Sequence, residues 1–457
     1  MSWRGKNVLV LGLGESGLAL ARWLAHEGAV LHVADNRAHP PALDALHAAA
    51  PAVTLHLGPF SSDLLDGIDA LAISPGLDPR AGLIAEARAR GLPVLGEIQL
   101  FIDALDALGV RADTRLIAIT GTNGKTTTTA LTAALCRAAG MDAVAAGNIS
   151  PATLHVLLDR LAQGRPLPQC WVLELSSFQL ETVDTLGADA ATVLNLSDDH
   201  LDRYDNFAGY ASAKAAIFSG AKVILVNRDD PAARALAPLA PSFGLDAPEA
   251  PFDYGLRDGQ LVRGDTALLA VDEVPLSGRH NLSNALAALA LCEAVGVGLG
   301  DAVAGLRGFQ GLPHRVTPVA QRDDGVTYFD DSKGTNVGAT LAALAGLGRK
   351  VVLIAGGDGK GQDFSPLSAA ISAHARAVVL IGRDAALIAR AIDGSGVALE
   401  FADDLPRAVL RADAIAQGGD AVLLSPACAS LDMFRNYAHR AEVFIDAVRA
   451  LPRVVAR

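Results

Sequence analysis

Short apolar runs recur along the whole chain, each ending in a glycine or a polar cluster and leading into a helical stretch. This alternation limits the fold more than any other feature of the sequence. "NVLVLGLGESGLALARWLAHEGAVLHVADNR" reads as strand, turn, helix and strand. "LIAITGTNGKTTTTALTAALCRAAG" repeats the order, its helix stopping at Gly140. "VTYFDDSKGTN", "KVVLIAGGDGKGQDF", "ARAVVLIGRD" and "DAVLLSPACASLDMF" continue the pattern towards the C-terminus. The expected class is therefore α/β, with mainly parallel sheets flanked by helices. A chain of 457 residues is too long for one core. Three such domains are expected, at 1–96, 97–311 and 312–457. The first and third are Rossmann-like and the central one is of the P-loop type. Residues 252–275 are choppier and read as a small antiparallel insertion.

Composition narrows the partners. The net charge of -12 is dispersed, without a basic stripe or a polyacidic tail. That argues against nucleic acid or an anionic membrane as a main partner. Cys136, Cys170, Cys292 and Cys428 are far apart in the sequence and form no C-x-x-C. A disulfide framework or zinc site is not expected, and a reducing compartment is. The N-terminal apolar run is broken by glycines and Glu15, as a first strand would be and a signal peptide would not. No charge-free apolar run approaches a membrane span. The sequence thus reads as a soluble, cytoplasmic chain.

Two glycine loops carry the first chemical signals. Gly12, Gly14 and Gly17 form G-x-G-x-x-G between a strand and a helix, and Asp35 ends the next strand eighteen residues beyond Gly17. That is the dinucleotide fingerprint, and alone it would suggest a nicotinamide-dependent dehydrogenase. The second loop, "TGTNGKT", has only Thr122 and Asn123 between Gly121 and Gly124. The usual phosphate loop has four residues there. Its setting, strand to glycine turn to helix, is where a helix N-terminus holds an anion. A plain glycine-rich turn with a solvated lysine remains the alternative.

In the central unit, residues at the strand ends would converge on one edge: Lys125, Thr126, Glu174, Asn195 and His200, with Lys214 nearby. A lysine, a hydroxyl, a carboxylate and an imidazole suit ATP with magnesium. Taken singly, Glu174 could pair a neighbour, His200 could be structural and Lys214 could be a solvated helix lysine.

In order, "TGTNGKTT", "LELSSFQLE", "HLDRY", "HNLSNALAALA", "LPHR", "DDSKGTN", "GGDGK" and "SPACASLDMF" resemble the Mur ligase family over almost the whole chain. The shortened loop is then the version used by ATP-dependent amide ligases. The resemblance implies addition of D-glutamate to UDP-N-acetylmuramoyl-L-alanine in cytoplasmic peptidoglycan precursor synthesis. The route is an acyl phosphate, with release of ADP and phosphate. The enzyme is expected to be monomeric, with small-molecule partners only.

The same resemblance implies the residue roles. ATP would lie on Thr122, Asn123, Gly124, Lys125, Thr126, Thr127 and Thr128, with Asn281, Asn284, Arg315 and Asp331 holding adenine, ribose and phosphates. Thr126 and Glu174 would hold one Mg²⁺. His200 and Lys214 would serve a second, Lys214 as a carbamate. The catalytic set is Lys125, Glu174, His200 and Lys214. The glycine fingerprint would take the UDP end of the sugar nucleotide rather than NAD, with backbone at Glu15 and Ser16 facing the diphosphate. Asp35, Asn36 and Arg37 would border the uracil, and Ser74, Gly76 and Asn148 would complete the site. Lys333, Thr335, Lys360, Ser430, Leu431 and Tyr437 match the glutamate-binding motifs, although the family often has Phe where Tyr437 stands. Three rivals remain: an oxidoreductase, a non-catalytic nucleotide-binding scaffold, and a sister ligase acting on another UDP-muramoyl peptide or on folate.

Overall fold

Strand β1 (Asn7–Leu11) pairs in parallel with β2 (Val30–Asp35) on one side and with β4 (Ala70–Ile73) on the other. β3 (Thr54–Leu57) and β5 (Val94–Leu95) complete a sheet of order β3-β2-β1-β4-β5. The chain therefore reverses its direction of travel across the sheet at β1. Such a switch point leaves a crevice beyond the strand ends where ligands bind. The glycine fingerprint lies there, in the turn between β1 and the helix Glu15–His26. A computed structural model of the chain describes residues 2–199 and 203–456.

The second sheet contains β6 (Arg115–Thr120), β7 (Ala143–Gly147), β8 (Cys170–Glu174), β9 (Ala190–Val193), β10 (Val223–Asn227) and β11 (Ser242–Phe243). It continues with β12 (Tyr254–Arg257), β13 (Gln260–Arg263) and β14 (Thr266–Ala270), in the order β14-β13-β12-β11-β10-β9-β6-β8-β7. β6 is flanked by β8 and β9, so the second switch point sets the shortened loop between the ends of those two strands. The stretch read as an antiparallel insertion is the β12–β13 pair. It extends the main sheet through a parallel bridge from β11 to β12. Every residue of β8 is buried, and Trp171 meets Phe101 edge-on at 4.7 Å. That apolar anchor is what lets a strand carry a carboxylate, Glu174, at its final position.

The third sheet is built from β15 (Thr317–Arg322), β16 (Thr327–Asp330), β17 (Val351–Gly356), β18 (Ala375–Ile381), β19 (Ala398–Phe401), β20 (Ala421–Leu424) and β21 (Val454–Ala456). Its order is β19-β18-β17-β20-β16-β15-β21, parallel from β19 to β16 and antiparallel at β15 and β21. The three mainly parallel, helix-flanked sheets match the expected class. The chain packs as two compact units. The first, Met1–Leu268 with Ala285–Leu306, holds the first sheet and the second up to the middle of β14, and the second is Leu269–Asn284 with Arg307–Arg457.

The four cysteines are free thiols, all buried. Cys136 and Cys292, distant in sequence, meet in the core with their sulfurs 3.8 Å apart. No helix among the described residues is long and apolar enough to cross a membrane.

Candidate active site

The shortened loop is held from its own strand and from its neighbours. Gly121 has φ 150° and Gly124 has φ 83°, so the turn uses both glycines in conformations that L side chains resist. The Thr122 main-chain N–H donates to the Asn195 carbonyl at 2.9 Å. The Asn123 N–H donates to the Asn195 side-chain oxygen at 2.8 Å, and the Asn195 amide returns a bond to the Asn123 carbonyl at 3.0 Å. Asn195, just past β9, thus fixes the loop as a second strand would. Gly124 sits at the N-cap of the helix Lys125–Ala138 without a side-chain cap, and the positive end of the helix dipole faces the loop, as an anion site requires. Lys125 bends back, its Nζ donating to the carbonyls of Gly121 (2.9 Å) and Thr122 (2.8 Å). Thr126 is half-buried on the first turn, whereas Thr127 and Thr128 face the core.

Beside this loop lie an acid and an amine that are both almost fully enclosed. Glu174 is 2% exposed; its Oε1 accepts from the Asn148 amide at 2.8 Å, and its Oε2 is buried without a hydrogen-bond partner. An orphaned carboxylate oxygen inside a protein is costly unless something cationic visits it. Lys214, on the helix Phe207–Ala215, is also 2% exposed. Its Nζ donates to the Gly121 carbonyl at 2.9 Å and to Thr120 Oγ1 at 3.3 Å, above the Tyr210 ring. Burial, and then the positive charge of Lys125, hold the Lys214 ammonium well below the ordinary lysine range. An amine whose pKa is lowered beside a phosphate-type loop gives up its proton more readily than an ordinary lysine, which favours nucleophilic chemistry over a fixed counter-ion role. His200 lies outside the described residues.

At the first switch point the glycines act by close approach. A methyl on Gly17 would collide with the Gly12 carbonyl, so helix and turn touch only because position 17 has no side chain. Ser74 Oγ donates to that same Gly12 carbonyl at 2.9 Å. Asp35 is 1% exposed, and its carboxylate is engaged within the protein. It accepts from the Leu13 N–H (2.7 Å) and from Arg37 Nε (2.8 Å) and Nη2 (2.7 Å), and the Arg37 guanidinium pulls its carboxyl down to about 2. Asp35 thus fixes the turn and aims Arg37. Asn36, Arg37 and Gly76 are exposed around it, and Ser16 is half-buried.

In the second compact unit, the loops after β16, β17 and β20 are sewn together. Lys333 lies over the Tyr437 ring at 3.8 Å, and the Thr335 N–H donates to the Lys333 carbonyl at 2.9 Å. Asp358 and Ala429 form a two-way backbone bridge that sets Lys360 near Ser430. Ser430 is buried and Leu431 is 69% exposed. Asn281 and Asn284 pair through their side chains at 3.0 Å.

Asp331 is buried beside Ser425, whose hydroxyl donates to it at 2.7 Å. Burial raises its carboxyl to about 7, against relief from Ser425 and from the Arg315 guanidinium. The unfolded carboxyl ionises near 3.8, so the folded chain keeps the extra proton between about 3.8 and 7. Stability from this group therefore falls as pH rises through that window. Asp331→Asn is expected to raise the thermal midpoint at pH 8, with the gain shrinking towards pH 4. Equal gains at both pH values in scanning calorimetry would contradict this origin.

Several supporting residues carry no motif signal by themselves. Gln362 donates to the Ala427 carbonyl (2.7 Å) and accepts from the Val337 N–H (3.0 Å), joining three loops. Arg440 is fully buried and spends its guanidinium on Ser332 and on the Cys428 carbonyl. Arg203, from "HLDRY", reaches the Leu77 carbonyl at 3.0 Å and Glu181 at 2.5 Å, tying the loop after β4 to the segment after β8. An arginine in a polar motif is visible in sequence, but its partner 126 positions away is not.

A shortened phosphate loop at one switch point, a glycine turn at another, and a basic loop cluster on a third sheet define a multidomain nucleotide-site protein of ligase type. Family models agree along the chain: a Mur ligase MurD-like N-terminal domain matches residues 6–96, a Mur ligase middle domain 119–292, and a Mur ligase glutamate ligase domain 314–428. The chain belongs to the Mur ligase family. It is 64% identical to the UDP-N-acetylmuramoylalanine–D-glutamate ligase of Aromatoleum aromaticum, over 99% of both chains. It is 55% identical to the protein of that name from Dechloromonas aromatica, over 99% of this chain and all of the other. Among solved structures, a UDP-N-acetylmuramate–alanine ligase from Thermotoga maritima superposes with a TM-score of 0.60, covering 97% of this chain and 99% of the other. At 19% identity that likeness speaks for the fold alone.

Proposed function

We infer that this chain joins D-glutamate to UDP-N-acetylmuramoyl-L-alanine, consuming ATP, as a monomer in the cytoplasm. The observation that carries the reading is the 64% identity to a D-glutamate ligase over 99% of both chains. Residues 1–96 bind the UDP substrate, 97–311 bind ATP, and 312–457 bind glutamate and part of ATP. A carboxylate is a poor electrophile at neutral pH, so the L-alanyl carboxylate first takes the γ-phosphate of ATP. The glutamate amine then attacks the acyl carbon, and the tetrahedral intermediate collapses to amide and phosphate. Positioning and charge neutralisation are the protein's main tasks.

Lys125 and the helix amides neutralise the phosphates on this reading. Asn281, Asn284, Arg315 and Asp331 serve the nucleotide. Lys333, Thr335, Lys360 and Ser430 receive the two glutamate carboxylates, with Leu431 and Tyr437 lining that loop cluster. The UDP moiety takes Glu15 and Ser16 through their backbone, with Asp35, Asn36, Arg37, Ser74, Gly76 and Asn148. Magnesium fits the residues present, because Glu174 Oε2 is buried without a hydrogen-bond partner and a cation would satisfy it. Thr126 and Glu174 would hold one ion, and His200 with carbamylated Lys214 a second; bound there, the ions would offset phosphate charge.

A phosphate-release assay with UDP-N-acetylmuramoyl-L-alanine and ATP tests the reading, offering D-glutamate, L-glutamate, L-lysine and meso-diaminopimelate separately. Release with D-glutamate alone is expected, and release with diaminopimelate alone would assign a sister activity. Asp35→Ala frees Arg37 and loosens the Leu13 turn, so it should raise KM for the sugar nucleotide and leave KM for ATP nearly unchanged. Movement of the ATP constant instead would overturn the placement of UDP at the first sheet.

A further inference from the structure

The helix Thr153–Ala162 starts at Ala152, whose side chain cannot cap it. Its first amides would be orphan donors. Two carboxylates from other helices take them. Glu15 Oε1 accepts from the Ala152 N–H at 3.1 Å and from Ser150 Oγ at 2.8 Å. Glu97 Oε1 accepts from the Leu154 N–H at 2.8 Å and from the Thr153 hydroxyl. Acids at a helix N-terminus are well placed for its dipole too. Glu97 is buried, whereas Glu15 stands at the surface directly after Gly14 of the glycine turn.

The segment so fixed is the one that carries Asn148. Its side-chain amide donates to Glu174 Oε1, and its main-chain N–H donates to the Glu174 carbonyl at 2.8 Å. Gly147, at φ 104°, lies so close that an added methyl would stand 2.5 Å from the Glu174 carbonyl oxygen. That end of the segment has no slack. A continuous line of contacts therefore runs from the glycine turn through Glu15, Ser150 and Asn148 to Glu174.

We propose that Glu15 is a positioning residue for ligation, its carboxylate registering the glycine turn of the first sheet against the segment that orients Glu174. The substrate meets the turn through backbone groups, and the Glu15 side chain is spent on Ser150 and Ala152. This rests on the ligase reading above. A substrate diphosphate seated at the turn is then held in fixed register with the acid beside the phosphate loop. An exposed glutamate whose own backbone faces a diphosphate would otherwise repel it, and the two donors that occupy the carboxylate, Ser150 Oγ and the Ala152 N–H, turn it aside.

The test compares Glu15→Ala, Glu15→Gln, Ser150→Ala and the Glu15→Ala/Ser150→Ala pair in the full-length enzyme. Glu15→Ala is expected to lower kcat about tenfold, the scale of small misplacements of reacting groups. KM for the sugar nucleotide should stay near the wild-type value. Glu15→Gln keeps a carbonyl oxygen for both donors and should recover most of kcat. The double variant should be no slower than Glu15→Ala, since the contact is already gone. Hydrogen exchange on the free enzyme gives a readout independent of turnover: amides of residues 147–154 should exchange faster in Glu15→Ala and at the wild-type rate in Glu15→Gln. A raised KM with unchanged kcat would make Glu15 a substrate contact, and unchanged exchange would remove the latch; either overturns the proposal. Wild-type enzyme that fails to turn over these substrates counts against the ligase reading, while the exchange result still decides whether Glu15 holds the segment.

Discussion

Replacing Lys125 by alanine is expected to lower turnover by at least ~100-fold, the scale on which one preorganised charge acts on a transferring phosphoryl group. The fold should survive. Lys125 is half-buried at a helix start, and its ammonium donates to loop carbonyls, at 2.9 Å to Gly121 and 2.8 Å to Thr122. Those carbonyls keep the side chain curled over the place where phosphate would lie. The loop itself is held independently by Asn195, through the Thr122 and Asn123 amides. Steady-state phosphate release measures the loss, and circular dichroism checks that the variant is folded. A variant retaining half of wild-type activity would remove the nucleotide from this loop.

Lys214→Ala should be inactive, and a small carboxylic acid should restore part of its activity. The amine is enclosed, its pKa lowered by burial and then by Lys125, and it is set over the loop by Gly121 and Thr120. A neutral amine can add to dissolved carbon dioxide, forming an N–C bond and releasing a proton. The product is an anion where a bare ammonium would be repelled by Lys125. Acetate or formate entering the vacated space would supply a similar charge. Rescue should saturate with acid concentration and be absent in the wild type. Lys214→Glu is too short to place its oxygens equivalently, so it should remain poor. Rescue by small amines alone, or near-normal turnover of Lys214→Ala, would show a structural lysine instead.

The glycine fingerprint illustrates how far local sequence carries an argument. Its strand–turn–helix setting was legible because every part lies within one short stretch, and the collision awaiting a methyl on Gly17 explains the spacing. What the turn binds was not legible, since a helix N-terminus treats one pyrophosphate like another. Asp35 is a subtler case. Its position at a strand end was plain, but its carboxylate is taken up by Leu13 and Arg37, which spacing alone does not reveal. The antiparallel character of β12 and β13 was foreseen, and their merging with the main sheet was not, because sheet continuity depends on pairing with β11.

The sequence by itself determined the α/β class, the two glycine loops and the strand-end placement of Lys125, Glu174, Lys333 and Ser430. Periodicity, glycine spacing and helix starts are properties of neighbouring residues, and the chain writes them down directly. Only the tertiary structure decided that Lys214 is a buried amine over the Gly121 carbonyl, 93 positions away. It alone brought Asn148 to Glu174, Glu15 to Ser150, Arg203 to Leu77 and Cys136 to Cys292. Charge state follows desolvation, and desolvation is the sum of what distant segments place around an atom.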